Sequence, residues 1–297
     1  MIRVTHILCP IDFSEFAHRA LDHAASIARS RDARLTVLHV FQTAPVMDLP
    51  PLEMTDAERK HLMEKVTHFT SHLPREMRVE LRVEETPDVH EEILAQAART
   101  HADLLVVGSH GRSGFQRLLL GSITEKLLRT APCPLMVVPR RAPDVAVDTP
   151  VRFRRILCPV DLSEGSRRAL EYASAFATDA AAQLVLLHVF EIPAQLHELS
   201  VPAALDVDRL RSEAEAAGAR RLREFVPEQT AGTGAIETLV REGRAYREIL
   251  KVASERAVDL IVMGVQGRGA VDLLVFGSNT ARVTRAAPCP VLVVRAG

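Results

Sequence analysis

The sequence predicts a duplicated α/β protein: two copies of one domain, each a five-stranded parallel sheet covered by helices on both faces. Three observations carry that expectation. HILCPIDFSE at 6–15 returns as RILCPVDLSE at 155–164, seven identities in ten positions at an offset of 149 residues. LHVF at 38–41 returns at 187–190 with the same offset; thereafter the offset is 156, which lays GSHG at 108–111 on GVQG at 264–267 and APCP at 131–134 on APCP at 287–290. A period this long is far above solenoid repeats and equals a whole domain. Finally, β-rich apolar runs alternate with longer stretches of helical period, which builds a parallel sheet through right-handed crossovers. The domains are 1–145 and 146–297, joined through RRAPDVAVDTPVRF at 140–153, a stretch with two prolines and no apolar periodicity.

In the first copy the strands are expected at 6–12, 34–41, 78–85, 103–108 and 135–139, and the helices near 14–30, 55–72, 88–101 and 121–131. The second helix shows its period through Leu62, Val66, Phe69 and Leu73, which fall on one face. The last helix must end before Pro132, because the residue preceding a proline is pushed out of the α region. DLLVVG and its counterpart DLIVMG are nearly continuous apolar runs, as strands buried on both faces require. The change of offset puts seven extra residues of the second copy between its LHVF and its third strand.

Composition removes several classes of function. Hydrophobic residues at 47% and charged residues at 25% are globular averages. Lys+Arg 37 against Asp+Glu 38 leaves a net charge of −1, evenly divided between the halves, so bulk attraction to nucleic acid or anionic lipid is not expected. Aromatics at 4% and the absence of Trp leave no stacking platform for single strands. No apolar run approaches a membrane span, and acidic residues come too early for a secretory signal, so a cytoplasmic protein is expected. Cys9, Cys133, Cys158 and Cys289 lack C-x-x-C spacing and read as reduced structural thiols.

The chemistry is expected at the carboxyl ends of the strands, where open parallel sheets bind ligands. There the first copy reads Gly108, two residues, Gly111, nine residues, Gly121-Ser122, and the second reads Gly264, Gly267, Gly277-Ser278 at the same spacing. Glycines straight after a strand let backbone approach a ligand, and a helix opening at Gly-Ser offers free amides and a positive dipole end to an anion, phosphate above all. Arg112 and Arg268 follow the second glycine and either add charge or stay solvated. Asp12 and Asp161 end their first strands, either as acceptors for a ribose hydroxyl or adenine amino group or as helix-start carboxylates. Ser122 with Glu125 also spells an S-x-x-E capping box, but Ser278 is followed by Ala281 and keeps the Gly-Ser pair without the box.

With these residues in hand, the chain resembles a tandem universal stress protein of the ATP-binding branch over nearly its whole length. The family pattern G-2x-G-9x-G-S/T is met twice, beside the strand-one P-x-D and the closing P-C-P-x-x-V-V. The resemblance implies a Rossmann-like, adenine nucleotide α-hydrolase-like sheet of order 3-2-1-4-5 in each domain. It implies ATP, ADP or AMP as ligand, with Mg²⁺. Around the base and ribose it implies Pro10, Ile11, Asp12 and Val40, and around the phosphates Gly108, Gly111, Arg112, Gly121, Ser122, Ile123 and Thr124. The matching positions of the second copy are Pro159, Val160, Asp161, Val189, Gly264, Gly267, Arg268, Gly277, Ser278, Asn279 and Thr280. The departures are Gln266 for His110 and Asn279 for Ile123. The resemblance further implies an internal pseudo-dimer through the fifth strands, LMVV at 135–138 and VLVV at 291–294, with a homodimer as a further option.

Competing sites lack parts. There is no G-x-x-x-x-G-K-[ST] and no G-x-G-x-x-G after a first strand, and the hydrolase elbow and zincin motifs are incomplete. His61, His68 and His72 share a helical stripe, but no carboxylate joins them and the second copy has no counterpart, so no metal is expected there. A regulatory ATP-binding protein is the leading expectation. A slow ATP hydrolase or phosphotransfer enzyme is the alternative, for which the glycine loops offer no general base.

Overall fold

The structure is a computed structural model of the chain, and it describes residues 2–43, 53–111, 120–192, 207–226, 235–265 and 277–295. It divides into two compact units, 1–152 and 153–297. The division falls after Arg152 rather than after Val145 because the linker packs on the first helix. There the Ser26 hydroxyl donates to the Thr149 carbonyl at 2.8 Å, the Arg19 guanidinium donates to the Arg140 and Ala142 carbonyls, and Ala142 is buried.

In the first unit the elements are β1 (His6–Ile11), α1 (Glu15–Arg31), β2 (Arg34–Gln42), α2 (Asp56–Phe69), β3 (Val79–Thr86), α3 (Val89–Arg99), β4 (Leu104–Gly108), α4 (Ser122–Thr130) and β5 (Leu135–Val138). All neighbours are parallel, and the order is β3-β2-β1-β4-β5. Strand β1 pairs His6 with Arg34 on one side and Ile7 with Leu104 on the other, so the direction of winding reverses between β2 and β4. That reversal opens a crevice at the carboxyl ends of β1 and β4.

Local chemistry accounts for the elements. Ser14 caps α1 by accepting from the Ala17 amide, Glu15 lies in the first turn, and Arg29 and Arg31 lie in the last, matching the helix dipole. Alanines 17, 20, 24, 25 and 28 form the buried face of α1, and their small side chains let the helix lie close on β1 and β4. Thr55 and Glu58 close a capping box at the start of α2, and Asp88 caps α3 through the His90 and Glu91 amides. Ile7, Leu8, Cys9, Leu35, Leu105 and Met136 are fully buried, which makes the sheet the core.

One helix is shorter than its period suggests. Helix α2 ends at Phe69, because Leu73 precedes Pro74 and is pushed out of the α region, and the chain tightens into three-residue turns from Ser71 to His68 and Leu73 to Thr70. Leu73 is still buried, but from the turn rather than from the helix. The stripe of His61, His68 and His72 therefore does not exist on α2: His61 and His68 are exposed on the helix, and His72 lies beyond its end.

The second unit repeats the plan with β6 (Arg155–Pro159), α5 (Glu164–Ala180), β7 (Gln183–Phe190), α6 (Val207–Phe225), β8 (Ile236–Glu242), α7 (Ala245–Glu255), β9 (Leu260–Gly264), α8 (Ser278–Ala286) and β10 (Val291–Val294). Its strands run in the order β8-β7-β6-β9-β10, again all parallel. Helix α6 has 19 residues against 14 in α2, so most of the insertion in this copy lengthens that helix. The four cysteines are free thiols, and burial pushes each thiol up, Cys133 and Cys158 to about 12, which leaves them unreactive near neutral pH. Among the described residues no helix is long and apolar enough to cross a membrane.

Candidate functional site

The crevice at the reversal point of the first unit is a cavity of about 470 Å³. Its walls come from the end of β1 (Pro10, Ile11, Asp12), the end of β2 (Leu38 to Gln42), the end of β4 (Val107, Gly108, His110, Gly111) and the start of α4 (Gly121 to Thr124). Pro10, Ile11, Asp12, Val40, Gly108, Gly111, Gly121, Ser122, Ile123 and Thr124 are thus brought together on one cavity; Arg112 lies outside the described residues.

The glycines of this crevice answer to different demands. A Cβ on Gly108 would stand 2.8 Å from the Phe16 carbonyl oxygen, so this glycine is needed for α1 to lie against the end of β4. On Gly111 it would stand 2.7 Å from Asp12 Oδ2. On Gly121 it would meet nothing nearer than 3.5 Å, and the backbone there has φ −59, which any residue adopts. Packing does not require glycine at 121. Gly108→Ala should therefore destabilise the fold by about 1–3 kcal/mol, the usual scale of overpacking, while Gly121→Ala leaves thermal unfolding unchanged. Equal unfolding midpoints for both variants in a thermal melt would contradict this division.

The start of α4 carries no capping box. Gly121 is its N-cap, Ser122 is already inside the helix, and Glu125 pairs with Arg129 at 2.7 Å instead of reaching back. Among the described residues no side chain caps α4, so its first amides point into the cavity without a side-chain acceptor. The turn is fixed from below: the Gly121 amide donates to the Ser109 carbonyl at 2.9 Å, and the Thr124 hydroxyl donates to the Gly108 carbonyl at 2.9 Å.

Asp12 takes the helix-start role and stands on the cavity wall. Its Oδ1 accepts from the Ser14 amide at 3.1 Å and the Ser14 hydroxyl at 2.6 Å, steadying the residue that caps α1, and it also lines the cavity. The chain then turns through Phe13 at φ 64, a left-handed conformation costly for a bulky side chain. The second unit repeats this at Leu162, φ 65, with Asp161 Oδ1 accepting from the Ser163 amide and hydroxyl at 3.1 and 2.5 Å.

Other features recur in the second unit as well. Thr280 donates to the Gly264 carbonyl at 3.1 Å, the Gly277 amide to the Val265 carbonyl at 3.2 Å, and α8 opens at Gly277 with no side-chain cap among the described residues. Pro159, Val160, Asp161 and Val189 stand at the ends of β6 and β7, and Gly264 with Gly277, Ser278, Asn279 and Thr280 at the end of β9 and the start of α8. Gly267 and Arg268 lie outside the described residues. One difference stands out: a Cβ on Gly277 would meet the Val265 oxygen at 2.9 Å, so here packing also demands the glycine.

Sequence reasoning missed several lining residues. His39 is buried, its Nδ1 donates to the Ile11 carbonyl at 2.9 Å, and it lines the cavity beside Phe41, Gln42 and Ile93. The signal was available in the repeated LHVF, since His188 makes the same bond to the Val160 carbonyl at 2.7 Å. His110 lines the cavity too, with Nδ1 2.9 Å from the Ser109 hydroxyl and its ring against Phe16.

Fold and crevice together define a class, the tandem α/β proteins with a glycine-lined cleft at the reversal of the sheet, which the first unit displays. A model of the universal stress protein family matches residues 3–139 and 152–295. The chain belongs to the universal stress protein family. A universal stress protein of Mycobacterium tuberculosis is 25% identical over 296 residues, which cover 97% of this chain and 96% of that one. One from Thermus aquaticus is 38% identical over 144 residues, 48% of this chain and 99% of the relative. The crystal structure of a universal stress protein from Archaeoglobus fulgidus shares the fold, with a TM-score of 0.65, 22% identity and 98% of each chain covered.

Proposed function

We propose that the protein binds adenine nucleotides, ATP first among them, in the crevice of each unit and acts as a nucleotide-dependent regulatory protein of the stress response. The observation that carries this is the convergence of ten widely spaced residues on one cavity of about 470 Å³, within the size range of small-molecule sites. The chemistry of its walls suits such a guest. Pro10, Ile11, Val40 and Ile93 supply an apolar slot for the base, and Asp12 an acceptor for ribose hydroxyls. The uncapped amides of α4 and the gap beside Gly121 receive phosphate, and Arg112, which follows Gly111 in the sequence, adds charge. Mg²⁺ enters with the triphosphate, held mainly by phosphate oxygens and water, as this strongly hydrated ion prefers. Binding rather than turnover is the favoured reading, because among the described residues that line the cavity Asp12 is the one carboxylate and no second stands beside it to form a pair. Calorimetric titration with ATP tests the reading, with an expected stoichiometry near two per chain.

A further inference from the structure

We propose that His18, Asp22 and His72 form a binding site for a divalent transition metal of the zinc class in the first unit, separate from the nucleotide crevice. His18 and Asp22 lie one turn apart on the same face of α1, and His72 approaches from the turn that follows α2. His18 Nδ1 is 3.2 Å from Asp22 Oδ2 and His72 Nε2 is 2.8 Å from Asp22 Oδ1. One ligand atom from each of the three residues lies within 4.8 Å of the others. Ligand atoms around tetrahedral zinc sit about 2.0–2.2 Å from the ion, and small rotations of the half-exposed imidazoles close the set to that size. Two imidazoles and one carboxylate are the ligand types zinc, cobalt and nickel take, and three protein ligands leave a position for water.

The arrangement is poorly explained by helix packing alone. The two imidazole rings stack at 4.4 Å with 21° between their planes, and both turn a nitrogen to one carboxylate. A single cation between them answers both nitrogens and the carboxylate at once. The second unit closes the same junction in another way: Arg167, at the place of His18, lies over the Phe225 ring at 4.6 Å, where His18 meets Phe69 edge-on at 5.3 Å. Glu171, at the place of Asp22, pairs with Arg168. The fold therefore builds this helix contact without the histidine pair. Among the described residues the first unit alone assembles the three ligands, with a carboxylate that comes from α1 rather than α2.

The test uses the full chain, freed of metal and nucleotide, titrated with Co²⁺ and followed by d–d absorption, then with Zn²⁺ in competition. One Co²⁺ per chain with a tetrahedral or five-coordinate spectrum, displaced by Zn²⁺, is expected. His18→Gln, His72→Gln and Asp22→Asn should each weaken uptake at least about tenfold, the scale on which even outer partners of metal ligands count. His61→Gln and His68→Gln should leave it unchanged. Thermal melts guard against misfolding: with EDTA the Asp22→Asn variant should melt as the parent does, and the Zn²⁺-dependent rise in Tm should be lost in the variant alone. Absence of stoichiometric uptake, or uptake and Tm rise equal in parent and His18→Gln/His72→Gln double variant, would overturn the site.

Discussion

Gly121→Asp should remove nucleotide binding from the first unit while leaving the chain folded. The substituted carbon finds no atom nearer than 3.5 Å and the backbone is in an ordinary conformation, so the fold bears the change. The new carboxylate, however, stands at the positive end of α4, in the space proposed for phosphate. Two like charges about 4 Å apart near a protein surface repel by about 4 kcal/mol, which corresponds to a loss of affinity of about three orders of magnitude. His110→Ala should cost far less, because His110 is engaged with Ser109 and Phe16 and its counterpart position carries Gln266. Calorimetry on the two variants separates the cases. Similar losses in both would move the phosphate away from the Gly121-Ser122 helix start.

The second large effect is acid sensitivity of the first unit through His23. This side chain is 2% exposed, its Nε2 faces the Pro143 carbonyl at 3.1 Å, and its Nδ1 has no partner among the described residues. Burial holds its pKa down, from 6.5 to about 4, against smaller opposing contributions from the Pro143 carbonyl and Asp22. The folded state therefore binds fewer protons than the unfolded state between these values. Stability from His23 is complete above pH 6.5 and falls as the pH drops towards 4. The loss amounts to about 2 kcal/mol by pH 5 and about 3 kcal/mol at its limit. Urea unfolding at pH 7 and pH 5 should show it, and His23→Gln should flatten the dependence. Only part of the slope disappears, since burial also lowers His6. An unchanged slope in His23→Gln would contradict this assignment.

The duplication was legible because it is written in identical residues at matching offsets, and the strands because apolar β-rich runs buried on both faces leave little ambiguity. Strand limits moved by a residue or so, whereas α2 lost its last turn to Pro74, whose effect reaches back through Leu73. At the crevice, glycines and the helix-opening serine carried a local signature. His39 was legible only through the repeated LHVF, and His110 carried no local signature, because its ring packs on Phe16, distant in sequence. The His18–Asp22–His72 cluster was hidden for the same reason: His72 and Asp22 are 50 residues apart, and only the packing of α1 against the end of α2 joins them. The capping box spelled by Ser122 and Glu125 was legible and does not form, since Gly121 takes the cap position and moves the serine one place into the helix.

The central claim is that the glycine-lined crevices hold adenine nucleotide. Isothermal titration of the parent chain and of Gly121→Asp with Mg-ATP tests it most directly. A stoichiometry near two is expected for the parent and near one for the variant, with both proteins equally folded by circular dichroism. No heat of binding in the parent, or a stoichiometry that Gly121→Asp leaves unchanged, would contradict it.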